Sequence, residues 1–308
     1  MKNALIQMHA AVLLWGFTGV LGRAILLDAP VLVWYRMLLT ALFMAVILYF
    51  RRQWVKIERG DLRQLILIGM LMGLHWVAFY GSIKFSNASI ALVCLSTASI
   101  FVSLLEPLVS GGKYQPKELM LGLLAIAGVY LIYQFQSGYA KGIAWGLVAA
   151  ALSAVFTVLN KSIAGKYPAR TMVFYEMASG WLFISVVVFA LMALGLEGFM
   201  LSPGNSSGTL DFIPAPGDWL WLVLLSLCCT VWAQSLALSA LKRLSAFTVT
   251  LSVNMEPVYG ILLAFIFYRE NKDLHWGFFA GVGLICLSVL VQMLRLLRPR
   301  SGRHPEKR

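Results

Sequence analysis

The chain has 308 residues, 60% apolar and only 12% charged, with a formal net charge of +12 and a mean hydropathy of +0.81. Soluble domains carry roughly a quarter charged residues and about half apolar ones, so both departures exclude water as the main solvent. The basic excess does not point to nucleic acid either, because Lys and Arg fall in short segments between apolar runs and in the tail, where they set membrane orientation.

A hydrocarbon core about 30 Å thick needs roughly 20 apolar residues of helix. Cutting the chain where charge, Pro and Gly cluster gives ten candidate spans, at about 4–27, 31–50, 62–83, 88–109, 118–134, 142–160, 171–196, 218–240, 245–268 and 274–295. The runs are continuous and do not alternate in polarity, which excludes an outer-membrane barrel. The expected fold class is an all-α integral membrane protein with ten transmembrane helices. The first run, which follows Lys2, is too long for a signal peptide and lacks a convincing cleavage pattern, so it reads as a retained helix. Cys94, Cys228, Cys229 and Cys286 lie inside apolar runs, away from metal-ligand spacing, and are expected to be free thiols.

Assigning loops alternately to the two sides places 19 of the 25 basic residues with the N-terminus and four on the opposite side. That asymmetry predicts cytoplasmic N- and C-termini. The long loop at about 197–218 has no Lys or Arg and reads as external.

The two halves are weakly alike. ValTrpTyrArgMet at Val33 to Met37 matches ValPheTyrGluMet at Val173 to Met177. Lys84 aligns with Lys242, and Gly122, Ala125 and Gly128 align with Gly277, Ala280 and Gly283. The expected organisation is a five-helix repeat over 1–134, a second over 141–295, and a basic cytoplasmic tail over 296–308. Five is odd, so the copies insert with opposite orientation. Inverted repeats of this kind place a substrate site near the midplane, reached alternately from each side.

The stretch TrpGlyPheThrGly from Trp15, TrpTyrArg ending at Arg36, AsnMetGluProValTyrGly from Asn254 and ArgGluAsnLys from Arg269 resemble the EamA type of the drug/metabolite transporter superfamily. The resemblance covers about residues 4–295. It implies ten helices in two inverted repeats and export or exchange of small metabolites, often amino acids, across the bacterial cytoplasmic membrane, with no cofactor. The first half departs from the pattern. It has ThrAlaSer at Thr97 to Ser99 where the repeat alignment expects GluPro, and its own Glu106 and Pro107 come later.

Ionisable side chains at membrane depth cost about 2.5–3.5 kcal/mol each on insertion scales and mark function by default. Arg23 reads as snorkelling to the interface. Arg36 and Glu176 occupy equivalent repeat positions, about 13 Å apart in depth, and are expected at opposite mouths of the pathway. Glu256 is expected about ten residues into helix 9, beside a carbonyl freed by the helix break at Pro257, which together make a cation site. A substrate ammonium, H+ or Na+ fits such a site. His75, Trp76, Tyr80, Trp15 and Asn254 complete the candidate set. Asn160, Tyr175, Trp232, Gln234 and Tyr259 lie at similar depth. Gly69 with Gly73, Gly142 with Gly146 and Gly277 with Gly281 allow close helix contact. No nucleophile with a base, metal cluster or phosphate loop stands out, so an enzyme is disfavoured. A channel, or a polytopic membrane enzyme or sensor, is the alternative to a small-molecule transporter.

Overall fold

A computed structural model describes residues 2–111, 114–135, 137–203, 205, 208–244, 249, 252–253, 255–272 and 274–297. Among these the chain is helical, with no strand. The helices are α1 (Lys2–Ala24), α2 (Ala29–Arg51), α3 (Arg59–Phe85), α4 (Ala88–Leu95), α5 (Ala98–Ser110), α6 (Pro116–Phe135), α7 (Ala140–Ile163), α8 (Ala169–Ala193), α9 (Asp218–Ser226), α10 (Ala233–Leu241), α11 (Glu256–Tyr268) and α12 (Trp276–Leu297). Eight stretches are long and apolar enough to cross a membrane, two of them formed by α4 with α5 and by α9 with α10, and α11 and α12 add two shorter apolar helices. The ten expected spans are thus accounted for.

Three spans are interrupted, and of these breaks the sequence reading expected only the one at Pro257. Between α4 and α5, the hydroxyls of Ser96 and Thr97 turn back to donate to the carbonyls of Val93 and Cys94 at 2.6 and 2.7 Å. These bonds satisfy carbonyls near a helix end that an unbroken helix would bond by its own backbone. Between α9 and α10, residues Leu227–Trp232 wind as a π-helix. The third break corrects the reading of helix 9. Glu256 and Pro257 lie in the first turn of α11, where a missing N–H costs nothing. Pro257 therefore opens a helix, and the Glu256 carboxyl sits at its N-terminal, positive end. The break in helix 4 falls where the repeat alignment expects GluPro, so both halves interrupt the same span.

The packing is reciprocal. Helix α3 lies against α7 and α8, α1 lies against α10 and α11, and α2 crosses α8. Helices α6 and α12 pair with each other through the backbone of Gly128 and Gly281, where a Cβ on either would meet the other's carbonyl oxygen. A Cβ at Gly69 would collide with the Glu176 carbonyl oxygen, one at Gly142 with Ser86, and one at Gly146 with Cys94. The glycine pairs thus serve contacts within this chain. Apolar side chains occupy the interior and also face outward, as at Val46, Phe50, Val186, Phe189 and Ile266, while Arg36, Glu176 and Glu256 are turned inward and buried. This distribution suits lipid as the surrounding solvent.

The two ends of the bundle are tied by polar contacts between elements distant in sequence. At one end Arg23 pairs with Glu270, so it finds a partner in the protein and does not snorkel. Glu270 also accepts hydrogen bonds from the N–H groups of Ala88 and Ser89 at 3.2 and 3.0 Å, capping the start of α4 together with the Asn87 side chain. Arg269 adopts a left-handed conformation, φ 55°, which ends α11 and turns Glu270 back toward α4. Asp28 accepts from Ser202 and Asn205, and Asp218 from the Leu26 N–H. At the other end Asp61 accepts from Lys166 at 2.9 Å and from the Tyr167 hydroxyl at 2.8 Å. Lys161 donates to the Leu241 carbonyl at 2.9 Å.

Candidate functional site

A cavity of about 90 Å³ lies at the centre of the bundle, lined among others by Trp15, Arg36, His75, Trp76, Asn160, Gln234 and Glu256. It is bounded by α1, α2, α3, α7, α10 and α11, so each half contributes. Five of the eight candidates from the sequence line it: Trp15, Arg36, His75, Trp76 and Glu256. Asn254 lies outside the described residues.

Arg36 is 1% exposed, which makes its fixation decisive, because a buried cation without partners would be expensive. Its Nε donates to the Thr230 hydroxyl at 2.9 Å and its Nη1 to the Tyr80 hydroxyl at 2.7 Å. The guanidinium carbon sits 3.7 Å from the centre of the Trp76 ring, a stacked cation–π arrangement. The Thr230 hydroxyl in turn donates to the Leu225 carbonyl, five residues back, at 3.1 Å. The π-helix thus presents Thr230 to Arg36. Tyr80 was expected in the binding surface; it stands behind Arg36 and holds it.

No ion pair joins Arg36 to any carboxylate among the described residues. Glu256 is the acidic group that shares the cavity with it, within electrostatic reach, and its carboxyl lies beside the Thr18 hydroxyl. Thr18 also donates to the Trp15 carbonyl at 2.6 Å, where α1 approaches α11 closely enough that a Cβ on Gly16 would crowd Tyr259. The site therefore sets a fixed cation and a carboxylate around one apolar, aromatic-walled space.

His75 is anchored by its Nδ1 to the Ala149 carbonyl at 2.8 Å and packs its ring against Phe79 and Phe156. It shapes the wall and ties α3 to α7. Glu176 does not line the cavity. It is fully buried behind Asn160 and Gln234, whose amides lie beside its carboxyl and do line the space. Arg36 and Glu176 make no ion pair, as their expected separation requires; Arg36 lines this cavity, and Glu176 stands behind its Asn160 and Gln234 wall.

The sequence did not single out Thr18, Ser153, Thr157 or Thr230. Hydroxyls are common in apolar helices and carry no distinguishing pattern, and the π-helix that aims Thr230 has no sequence signature of its own. Asn160 and Gln234 were visible as amides at membrane depth, without a reason to prefer them.

The fold and cavity define a multi-pass membrane protein with a small central chamber. The model of the EamA-like transporter family matches the chain twice, over residues 2–134 and 140–294. The chain belongs to this family, and is a membrane transporter. An uncharacterized transporter of Archaeoglobus fulgidus is 26% identical over 264 residues, covering 83% of this chain and 84% of that protein. The uncharacterized transporter YxxF of Bacillus subtilis is 23% identical over 296 residues, covering 92% and 89%. A solved crystal structure superposes on 97% of this chain and 100% of its own with a TM-score of 0.64, at 16% identity, which supports the fold alone.

Proposed function

We propose that this protein is a secondary transporter that exports a small zwitterionic metabolite, an amino acid or a related compound, across the cytoplasmic membrane by alternating access. The observation that carries the reading is that Arg36 and Glu256 line one cavity without pairing to each other. Arg36 suits a substrate carboxylate, since its fork of donors matches that geometry, and Glu256 suits the ammonium. The aromatic walls of Trp15, Trp76 and Phe156 fit a modest apolar side chain. Polar ties at both ends of the bundle favour a carrier over a channel, which needs a continuous path. The basic asymmetry supports an orientation with the Asp61 end in the cytoplasm and the Asp28 end outside.

The reading is tested with purified protein in liposomes preloaded with single unlabelled amino acids and given the same labelled compound outside. Exchange is expected for at least one zwitterion, reduced about tenfold or more in Glu256→Gln, because each 1.4 kcal/mol of lost binding is a factor of ten. Exchange of only purely cationic or purely anionic compounds would refute it.

A further inference from the structure

Buried polar atoms in folded proteins nearly always have partners, and an exception calls for an explanation. Three such exceptions meet at one place. Both carboxyl oxygens of Glu176 and the side-chain oxygen of Asn160 are fully buried without a hydrogen-bond partner, and the two residues are 0% and 2% exposed. An ionised Glu176 would hold its charge in a region of low dielectric, with the side-chain amides of Asn160 and Gln234 beside it.

The charged and titratable groups around them offer no relief. From α2, Arg36 directs its donors to Thr230, Tyr80 and Cys229. From α3, His75 is bonded to Ala149. From α7, Lys161 turns to the carbonyls of Leu241 and Leu244, and on α11 Glu256 lies beside Thr18. None bonds to Glu176. A single added proton resolves the arrangement. The protonated carboxyl donates to the Asn160 oxygen, and the other carboxyl oxygen accepts from the Gln234 amide. One proton would satisfy all three atoms.

We propose that Glu176 is a proton-binding site, occupied when the bundle is closed at both ends and distinct from the substrate site at Arg36 and Glu256, and that it is the coupling site of the transporter. The assignment rests on the transport reading above. Asn160 and Gln234 each face the cavity as well as Glu176, so they connect the carboxyl with whichever side the cavity is open to. In one cycle Glu176 takes a proton from water on one side and returns the same proton to water on the other.

The direct test needs no substrate. Infrared spectra of the purified full-length protein in lipid nanodiscs at neutral pH are expected to contain the carbonyl stretch of a protonated carboxylic acid. The band should be absent from Glu176→Gln, present in Glu256→Gln, and unchanged when choline chloride is replaced by sodium chloride. Absence of the band from wild type, its survival in Glu176→Gln, or its loss with sodium would overturn the proposal. Should Glu176→Gln fail to fold, Asn160→Ala removes the acceptor of the acid proton and must move the band to higher frequency; an unmoved band overturns the assignment equally. In liposomes, an imposed gradient of one pH unit should drive about tenfold accumulation of a zwitterion that exchanges, at one proton per molecule, and none in Glu176→Gln. Retained accumulation in that variant would remove Glu176 as the coupling site. Absence of exchange for every zwitterion tested would count against the substrate reading alone, since the infrared result does not depend on it.

Discussion

Arg36 lies stacked on Trp76, its guanidinium carbon 3.7 Å from the ring centre, and the same pairing of helices recurs in the other half with opposite chemistry. Glu176 is 140 positions after Arg36, and Gln234 is 158 positions after Trp76, the two offsets of the internal repeat. There the carboxyl faces an amide. At matching positions of the expected repeat, a cation on an aromatic plane thus stands in one half and an acid beside an amide in the other.

Arg36→Lys is the first prediction. Lysine keeps the charge but loses the planar fork that meets Thr230 and Tyr80 at once and stacks on Trp76. The lost hydrogen bond and stacking amount to about 1–2 kcal/mol within the protein, so thermal stability in detergent should fall modestly, and amino-acid exchange in liposomes should fall roughly tenfold as the cation loses its fixed position. Exchange close to wild type would show that charge alone suffices at this position.

A second concerns Glu270, which closes the N-terminus of α4 and pairs with Arg23. Glu270→Ala removes the acceptor of two backbone N–H groups and of the Ser89 hydroxyl. Loss of a helix cap costs typically about 1 kcal/mol, and the buried N–H groups left without a partner add to it. The melting temperature in detergent should drop clearly, and Arg23→Ala should cost less, since Arg23 is 38% exposed on its side chain and water can replace its partner. Equal losses would mean that the ion pair, and not the cap, carries the effect.

The lipid-facing nature of the chain and its spans were legible because hydropathy is summed over some 20 residues and survives local irregularity. Of the ionisable groups picked out at membrane depth, Arg36, His75 and Glu256 line one cavity. What failed was local. A ten-residue advance into helix 9 put Glu256 in mid-helix, because nothing in an apolar run announces that a helix restarts at GluPro. Depth counting likewise separated Arg36 from Glu176 along the membrane normal but could not show that Asn160 and Gln234 bridge the cavity wall between them. Arg23 looked like a snorkelling residue because its partner, Glu270, is 247 positions away, and pairings at that distance are fixed by helix packing.

Membrane orientation is the third prediction. With the four natural cysteines replaced, Thr209→Cys in the long loop should react with a membrane-impermeant thiol reagent applied to intact cells. Lys56→Cys should react only after the membrane is opened. The reverse pattern would invert the assignment of sides made from the distribution of Lys and Arg.

The last prediction addresses how the end of the bundle that carries Asp61 opens. Asp61, in the first turn of α3, holds Lys166 and Tyr167 in the connection between α7 and α8, so it ties the first half to the second. The hydrogen bond from Lys166 to Asp61 holds the ammonium above the ordinary lysine value. The same bond holds the Asp61 carboxyl below its ordinary value, so the contribution is complete between the ordinary carboxylate and lysine ranges, and is lost only as pH falls past the lowered value or climbs past the raised one. Near neutrality the tie is therefore insensitive to pH, and opening must come from movement of the helices. The Lys166 side chain is half exposed, so the tie is weak enough to break within a transport cycle. Asp61→Asn should shift the population toward the cytoplasm-open form. In inside-out vesicles, Thr157→Cys, which lies in the cavity wall, should then be labelled by a bulky impermeant thiol reagent several-fold faster in the Asp61→Asn background than without it. Labelling at an unchanged rate would mean that the contacts of Gln64 with Leu159 and Ser162, or of Lys161 with α10, hold this end closed on their own.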